Sequence, residues 1–328
     1  IRTNYYKSEM KKIVLIGCGN IGSRHLQALV QLNDPLKIEI VENHAPSVVL
    51  AKSRLTEIIY KKNLHKIQWH DNFDSLSNSD GLVIVATLSI GRVKIIESLL
   101  NLGYTKFLIE KLVCQSVEEY DHLLNLMKKF NAKGWVNTRC RYFKSYKKIK
   151  EFFQKSKTIH LTMYSGDTGL ATGAIHYLDL FSWLLDDNNI KLNGKFLDKK
   201  IHSNKRGENL LEFAGTIVGT AKNNSLVSIS FSPDSPSLLV AISNGENEII
   251  LDEYNEKILH NSFDHSLDFK LEYVSNLTTS IVTDIIKNDD CFLPTLNESY
   301  FHHIELFKIF CEHLEKTTKE KVKLCPIT

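Results

Sequence analysis

Everything else in this chain has to accommodate residues 11–22, KKIVLIGCGNIG. An apolar run rich in β-branched residues stops abruptly at Gly17. A helical pattern starts at Asn20, with Ile21, Leu26, Leu29 and Val30 as its apolar positions. Between them, Gly17-Cys18-Gly19-Asn20-Ile21-Gly22 fits G-x-G-x-x-G in the strand-to-helix context where that spacing has a physical meaning. Gly17 permits a tight turn, Gly19 lets the backbone approach a pyrophosphate, and Gly22 lets the helix pack close to the sheet. The free N–H groups of the helix start then face the phosphates.

The pattern repeats downstream. Residues 36–41 (LKIEIV), 67–69, 82–86 (LVIVA), 107–109 and 134–137 read as strands. Residues 45–60 (Val48, Val49, Leu55 and Ile59 facing inward), 93–102 and 117–130 read as helices. The strands are continuous apolar runs rather than in/out alternations, as in parallel strands covered on both faces. The spacing predicts an α/β fold, a Rossmann doubly wound parallel sheet over 1–137.

After residue 137 the grammar changes. Residues 144–153 and 173–185 read as helices. Ile159, Leu161 and Met163 alternate with His160, Thr162 and Tyr164, as in a strand with one wet face. Residues 213–218, 226–231, 238–243 and 248–252 read as strands, separated by Asn, Gly, Ser and Pro clusters short enough for antiparallel pairing. A last helix, 298–316, carries Phe301, Ile304, Phe307, Cys311 and Leu314 on one stripe. Residues 138–328 are therefore expected to form an α+β domain with a mixed or largely antiparallel sheet.

Composition narrows the function classes. A chain of 328 residues holds about two domains and needs no disulfide or metal to fold. Lys plus Arg is 41 against Asp plus Glu 38, too balanced for a nucleic-acid partner by charge alone. No apolar run is long enough to span a membrane. Residues 1–10 lack a signal peptide's apolar stretch and read as a leader ahead of Met10. The six cysteines form no C-x-x-C pair and read as free thiols of a reducing, cytoplasmic compartment. Adjacent His302 and His303 point to different helix faces, and no other cluster has metal-ligand spacing, so no metal is expected.

Several residues are candidates for chemistry. Glu42 ends the second strand 20 residues after Gly22, where a carboxylate would bind ribose hydroxyls. It would repel a 2′-phosphate, which favours NAD, with NADP possible. Ala86, Thr87 and Leu88, beyond the 82–86 strand, should border the cofactor. Glu110-Lys111 follows the 107–109 strand. A lysine there could reach the nicotinamide and a substrate hydroxyl together, and serves as a base if its surroundings lower its pKa. Glu110 could orient it or bind the nicotinamide ribose. Taken alone, the pair reads better as a solvated one, and His176 as a satisfied core or surface histidine.

The glycine turn, Glu42 and Glu110-Lys111 together resemble the Gfo/Idh/MocA family, the glucose-fructose oxidoreductase and inositol dehydrogenase-like proteins. The resemblance runs from about Lys11 to the end of the sequence. It implies an N-terminal dinucleotide domain, a C-terminal open-sheet domain, and sugar or cyclitol oxidation or reduction with a nicotinamide cofactor. The family often has a His three residues after its last glycine, here His25, and its Glu-Lys-Pro dyad has Leu112 in place of Pro. His176 and Asp179 match a His-x-x-Asp on the second-domain helix: His176 would help move the proton, and Asp179 would hold substrate or orient the site. The Asp often found four residues before that His is here Thr172. Arg139 and Arg141 fall where an Arg often contacts substrate, although both also read as part of a solvated basic stretch. In some members Phe stands at Tyr142 and Pro at Lys144. Tyr164, Ser165, Gly166 and Asp167 are candidate hydroxyl-binding groups.

The resemblance thus implies an NAD(P)-dependent dehydrogenase or reductase for a sugar, sugar derivative or cyclitol. In it Lys111 and His176 are catalytic, and Lys111, Arg141, Tyr164, Asp179 and His176 hold substrate. A homo-oligomer, dimer or tetramer, would cover the open sheet. Two other readings stay open: an NAD-dependent glycosidase without net redox change, and a non-catalytic NAD- or sugar-sensing protein.

Overall fold

The structure, a computed structural model, describes residues 10–61, 63–76, 81–166, 169–207, 209–262, 266–272 and 274–328. The first sheet holds β1 (Lys11–Ile16), β2 (Leu36–Val41), β3 (Lys66–His70), β4 (Leu82–Val85), β5 (Lys106–Glu110) and β6 (Lys133–Asn137). Their order is β3-β2-β1-β4-β5-β6, and every pair is parallel. Helices α1 (Asn20–Val30), α2 (Ala45–Thr56), α3 (Arg92–Asn101) and α4 (Val117–Lys129) lie between strands in sequence. Ile13, Val14 and Leu15 of β1 and Val83, Ile84 and Val85 of β4 are fully buried, the signature of strands covered on both faces. Sheet order reverses between β1 and β4, so a ligand crevice opens beyond their carboxyl ends.

The second sheet holds β7 (His160–Ser165), β8 (Lys191–Ser203), β9 (Leu211–Thr220), β10 (Leu226–Phe231), β11 (Leu238–Ser243), β12 (Glu248–Asp252) and β13 (Lys257–Asn261), with α5 (Lys144–Phe153) before β7 and α6 (Leu170–Leu185) after it. Its order is β13-β12-β11-β7-β10-β9-β8, antiparallel except for the parallel pair of β7 with β10. The chain closes with α7 (Val274–Asn288) and α8 (Leu296–Thr318). Leu161 pairs with Val227 and Met163 with Ile229, and these four form a buried face. Helix α6 packs on β9 and β10.

Three elements escaped the sequence reading. Strands β8 and β13 are the two sheet edges, and β8, KLNGKFLDKKIHS, is too lysine-rich to show alternation. Charge on an edge strand blunts its unpaired backbone against another chain. Helix α7 is rich in β-branched residues of weak helix propensity, and packing against α1 overrides that preference.

Two helix faces are corrected. On α2 only Ala51 is buried, while Val49 is 69% and Ile59 101% exposed. The helix is turned by Arg54, which donates to Asn20 O and Ser23 Oγ, and by Gln27, which donates to Arg54 O. On α8, Phe307 and Leu314 are buried as expected but Phe301 is 48% exposed. The helix touches β6 and α4 on one side and β8 on another, so His302, His303, Leu306 and Phe310 are buried as well.

Candidate active site

The glycine turn is built for a phosphate. Gly17 stands at φ +82° and donates its N–H to Val41 O at 3.0 Å. A Cβ on Gly22 would lie 2.0 Å from Gly17 O, whereas one on Gly19 would meet nothing nearer than Ser47 Oγ at 3.7 Å. Helix α1 has no side-chain cap and no acidic residue in its first turn. Its N–H groups and positive dipole end are therefore open to an anion. Uncapped donors and open space above Gly19 fit the pyrophosphate of a dinucleotide.

Glu42 is held at the end of β2 by two backbone donors, Cys18 N–H to Oε2 at 2.7 Å and His44 N–H to Oε1 at 2.9 Å. Lone pairs remain for ribose hydroxyls. The Cys18 side chain is fully buried, and burial with Glu42 pushes its thiol up to about 12, so only its backbone serves the turn. Asn20 sits exposed at the start of α1, where its Oδ1 accepts from Arg54 at 3.3 Å, and Ile21 is half-buried. Ala86 and Thr87 lie against the glycine turn: a Cβ on Gly17 would meet Thr87 Cγ2 at 3.1 Å and Ala86 O at 3.2 Å. Leu88 follows them, 40% exposed.

Beyond β5 the chain places Glu110 and Lys111. Glu110 Oε1 accepts from Asn137 Nδ2 at 2.5 Å and meets His25 Nε2 at 3.0 Å, and His25 Nδ1 reaches Thr278 of α7 at 2.8 Å. Burial disfavours the Glu110 carboxylate, but His25, Asn137 and Lys111 together hold its pKa below the ordinary value. The Lys111–Leu112 peptide is cis, with Leu112 where the family usually has Pro. Two side chains brace this turn. Buried Arg92 donates to Thr87 O, Glu110 O and Leu112 O, tying the β4 and β5 loops together. Neutral His303 accepts Val113 N–H at 3.1 Å and donates from Nδ1 to Ser299 O. Burial pushes its pKa down to about 3.

Lys111 is only 6% exposed, and its Nζ donates to Thr328 O at 3.2 Å. Burial, then Arg206 and Arg92, bring its pKa down to about 7 against the pull of Glu110 and Glu212. Half-neutral near pH 7, Lys111 is poised to take or give a proton.

The second domain brings His176 to the same place. Its Nδ1 is buried without a hydrogen-bond partner among the described residues. Burial, then Arg139 and Lys111, hold the imidazole well below its ordinary pKa, so it is neutral. Asp179 and Arg141 are turned toward each other instead. Asp179 is fully buried, its oxygens accepting Arg141 Nε at 3.0 and 3.1 Å, Arg141 Nη2 at 2.7 Å and Thr138 Oγ1 at 2.6 Å. The pair joins α6 to the turn after β6, and Arg141 Nη1 also lies 3.5 Å from Glu298 Oε1, so the expectation that both hold substrate is revised: protein groups engage them. Arg139 sits in a buried cluster with Tyr177 and Glu253, which keep it charged despite burial.

The strand alternation separates Tyr164 from the site. It pairs with Ser230 on the wet face of the sheet, 39% exposed, opposite the buried face formed by Leu161, Met163, Val227 and Ile229. Ser165 is fully buried. Gly166 is packed so tightly that a Cβ would lie 2.2 Å from Ser235 O. Asp167 lies outside the described residues.

Sequence reasoning missed Arg92, Asn137, Thr138, Arg206, Glu212 and the segment 325–328. Arg206 Nη1 donates to Thr328 O at 3.2 Å, and Ser89 Oγ donates to Ile327 O at 2.5 Å. No spacing signals these contacts, because they join residues more than a hundred positions apart. Among the described residues, no group of three or more His, Cys, Asp or Glu is placed to hold a metal. None of their helices is long and apolar enough to cross a membrane.

A parallel sheet with an open glycine turn, a ribose-side carboxylate and a buried lysine at the next crevice defines a nicotinamide-dinucleotide-binding α/β protein. Residues 11–138 match the Gfo/Idh/MocA family, described as an oxidoreductase family with an NAD-binding Rossmann fold. That match spans the first domain and identifies it as an NAD-binding Rossmann domain. A comparison with curated proteins gives no match. Among solved structures, the WlbA dehydrogenase from Bordetella pertussis, in complex with NADH and UDP-GlcNAcA, is similar at 14% identity and TM-score 0.70, over 98% of each chain. Scyllo-inositol dehydrogenase from Lactobacillus casei, with NAD(H) and scyllo-inositol, is similar at 16% identity and TM-score 0.67, over 94% of this chain and 98% of that one. UDP-N-acetylglucosamine 3-dehydrogenase GnnA from Acidithiobacillus ferrooxidans is similar at 14% and 0.68, over 92% and 97%. At these identities the likeness is one of fold, and it extends through both domains.

Proposed function

We propose that this protein is an NAD-dependent dehydrogenase or reductase acting on a CH–OH group, or its carbonyl, of a sugar, sugar derivative or cyclitol. One observation supports the reading most: a buried lysine with its pKa lowered to about 7 lies within electrostatic reach of a neutral histidine whose Nδ1 has no hydrogen-bond partner among the described residues. An alcohol needs both a base for its proton and a donor or acceptor to fix its oxygen.

Bound NAD supplies a hydride acceptor, or as NADH a hydride donor. Glu42 holds the adenosine ribose, and the α1 N-terminus and Gly19 hold the pyrophosphate. In the oxidising direction, neutral Lys111 Nζ takes the hydroxyl proton as the C–H bond breaks. In the reducing direction, its ammonium returns that proton. His176 fixes the reacting oxygen. Glu110, braced by His25, Asn137 and the carbonyls on Arg92, orients Lys111. Arg141 and Asp179 set the angle at which α6 presents His176. The substrates named for the structural relatives, scyllo-inositol and UDP-GlcNAcA among them, support a polyhydroxylated substrate class. The half-exposed outer face of the second sheet suits a homo-oligomer.

The test is NADH formation against a panel of sugars, sugar acids, nucleotide sugars and cyclitols. A substrate that gives stoichiometric NADH and ketone supports the reading. Consumption of a glycoside with release of its leaving group and no NADH would replace it with the glycosidase. Binding without turnover across the panel would favour a sensor.

A further inference from the structure

Glu212 is a buried carboxylate that the mechanism above does not use. It is 9% exposed and near the start of β9. Four donors saturate it: Oε1 accepts Ala171 N–H at 2.6 Å and Phe213 N–H at 3.0 Å, and Oε2 accepts Thr172 Oγ1 at 2.7 Å and Asn204 Nδ2 at 3.3 Å. Two of the four come from the first turn of α6, the helix that carries His176. The fit is close. Gly169, at φ +93°, is the N-cap of that helix, and a Cβ there would fall 2.3 Å from Glu212 Cδ. Only a glycine leaves room for this carboxylate against the helix start.

The same groups run on to Lys111. Leu211 N–H donates to Pro326 O at 2.7 Å, and two residues later Thr328 O accepts from Lys111 Nζ. Asn204, which donates to Glu212, also accepts Arg206 N–H at 2.9 Å, and the Arg206 guanidinium shares Thr328 O with Lys111. Glu212, the 204–206 loop, segment 326–328 and Lys111 are thus one connected structure.

We propose that Glu212 is a positioning residue of the reaction: β9 carries its carboxylate to the start of α6, where it anchors the His176 helix and acts electrostatically on Lys111. The proposal rests on the acid/base role given to Lys111 above. Burial raises the Glu212 pKa, and the donors Thr172, Phe213 and Ala171, with Lys111, act against that rise in favour of the carboxylate. Four hydrogen bonds fix where that charge stands relative to α6. Lys111 then feels one carboxylate from each domain, Glu110 and Glu212, and two guanidinium groups, Arg92 of α3 and Arg206 of the loop before β9. Its own charge reaches His176 of α6 and His303 of α8. Glu212 favours the ammonium form, which keeps the lysine basic enough to accept a proton.

The test is a pH titration of the Lys111 ε-methylene resonance in 13C-lysine-labelled protein with NAD bound, assigned by its loss in Lys111→Arg. In Glu212→Gln the midpoint is expected to fall by about half to one pH unit, because an opposite charge is removed from a buried ammonium. Thr172→Val keeps the carboxylate but removes one of its anchors, and is expected to give a smaller fall in the same direction. An unchanged midpoint in either variant, with the fold intact by circular dichroism, overturns the proposal. If Glu212→Gln does not fold, Thr172→Val alone decides it. A midpoint that falls while no hydroxyl compound yields NADH defeats the oxidoreductase reading and leaves the positioning role standing. NADH formation with an unmoved midpoint does the reverse.

Discussion

The cofactor half and the catalytic half of this crevice are assembled in opposite ways. The glycine turn, Glu42 and the Ala86–Thr87 loop are carboxyl ends of neighbouring strands in one sheet, fixed largely by backbone contacts between those strand ends. The pocket around Lys111 is put together from α3, β6, α6, α8, the start of β9 and segment 325–328. The first kind of site is set by backbone geometry, the second by buried side chains holding one another. Substitutions should therefore fail differently in the two halves.

The largest expected effect belongs to Lys111. Lys111→Ala should lower turnover by about 10²- to 10⁴-fold, the range of a lost general acid/base, while the NAD dissociation constant stays within about twofold. Steady-state kinetics and cofactor titration check both. Turnover near wild type would remove Lys111 from the mechanism. The same side chain carries a stability signature. Its pKa is about 7 in the folded protein against an ordinary 10.5, so between those values the unfolded chain binds more protons. Burying the ammonium therefore costs stability below pH 7, and that cost fades as pH rises toward 10.5. Lys111→Met should raise Tm near neutral pH, and the gain should shrink by about pH 10.

Next comes the Arg141–Asp179 pair. Asp179→Ala leaves a buried guanidinium short of its partner and should cost about 3–5 kcal/mol in urea unfolding. NAD binding by the refolded protein should change little. A loss below about 1 kcal/mol would mean that the pair does not hold α6.

Gly22→Ala tests the cofactor half. Its Cβ would fall 2.0 Å from Gly17 O, so the turn must shift. NAD binding should weaken by at least about tenfold, with a stability loss of about 1–3 kcal/mol. Isothermal titration and thermal melts separate the two. The smallest effect is expected at Ser116, whose Oγ accepts Glu119 N–H at 3.1 Å to cap α4. Ser116→Ala should cost about 1 kcal/mol and leave kinetics unchanged.

The same division explains what could be read from the chain. Continuous apolar runs marked the parallel strands and alternation marked β7, because burial on two faces or on one dictates those patterns. The turn and Glu42 were legible because their function depends on spacing along one strand–helix–strand unit. Strand alternation already put Tyr164 on the wet face, opposite in parity to Leu161 and Met163. Asp179 was legible as a member of a His-x-x-Asp pattern, but its partner was not. Arg141 lies 38 residues away. Glu212 left no local signal, for it acts through Ala171 and Thr172, about forty positions upstream.

The sequence by itself determined the dinucleotide fold and the turn that receives the pyrophosphate. Those depend on backbone conformation and on a period of burial, which neighbouring residues specify. Only the tertiary structure decided that Lys111 is buried within the fields of two carboxylates and two guanidinium groups, that His176 keeps a buried Nδ1 without a partner among the described residues, and that Asp179 serves Arg141. The charge and hydration of a side chain are set by what folds over it, and most of what covers this lysine is supplied by distant parts of the chain.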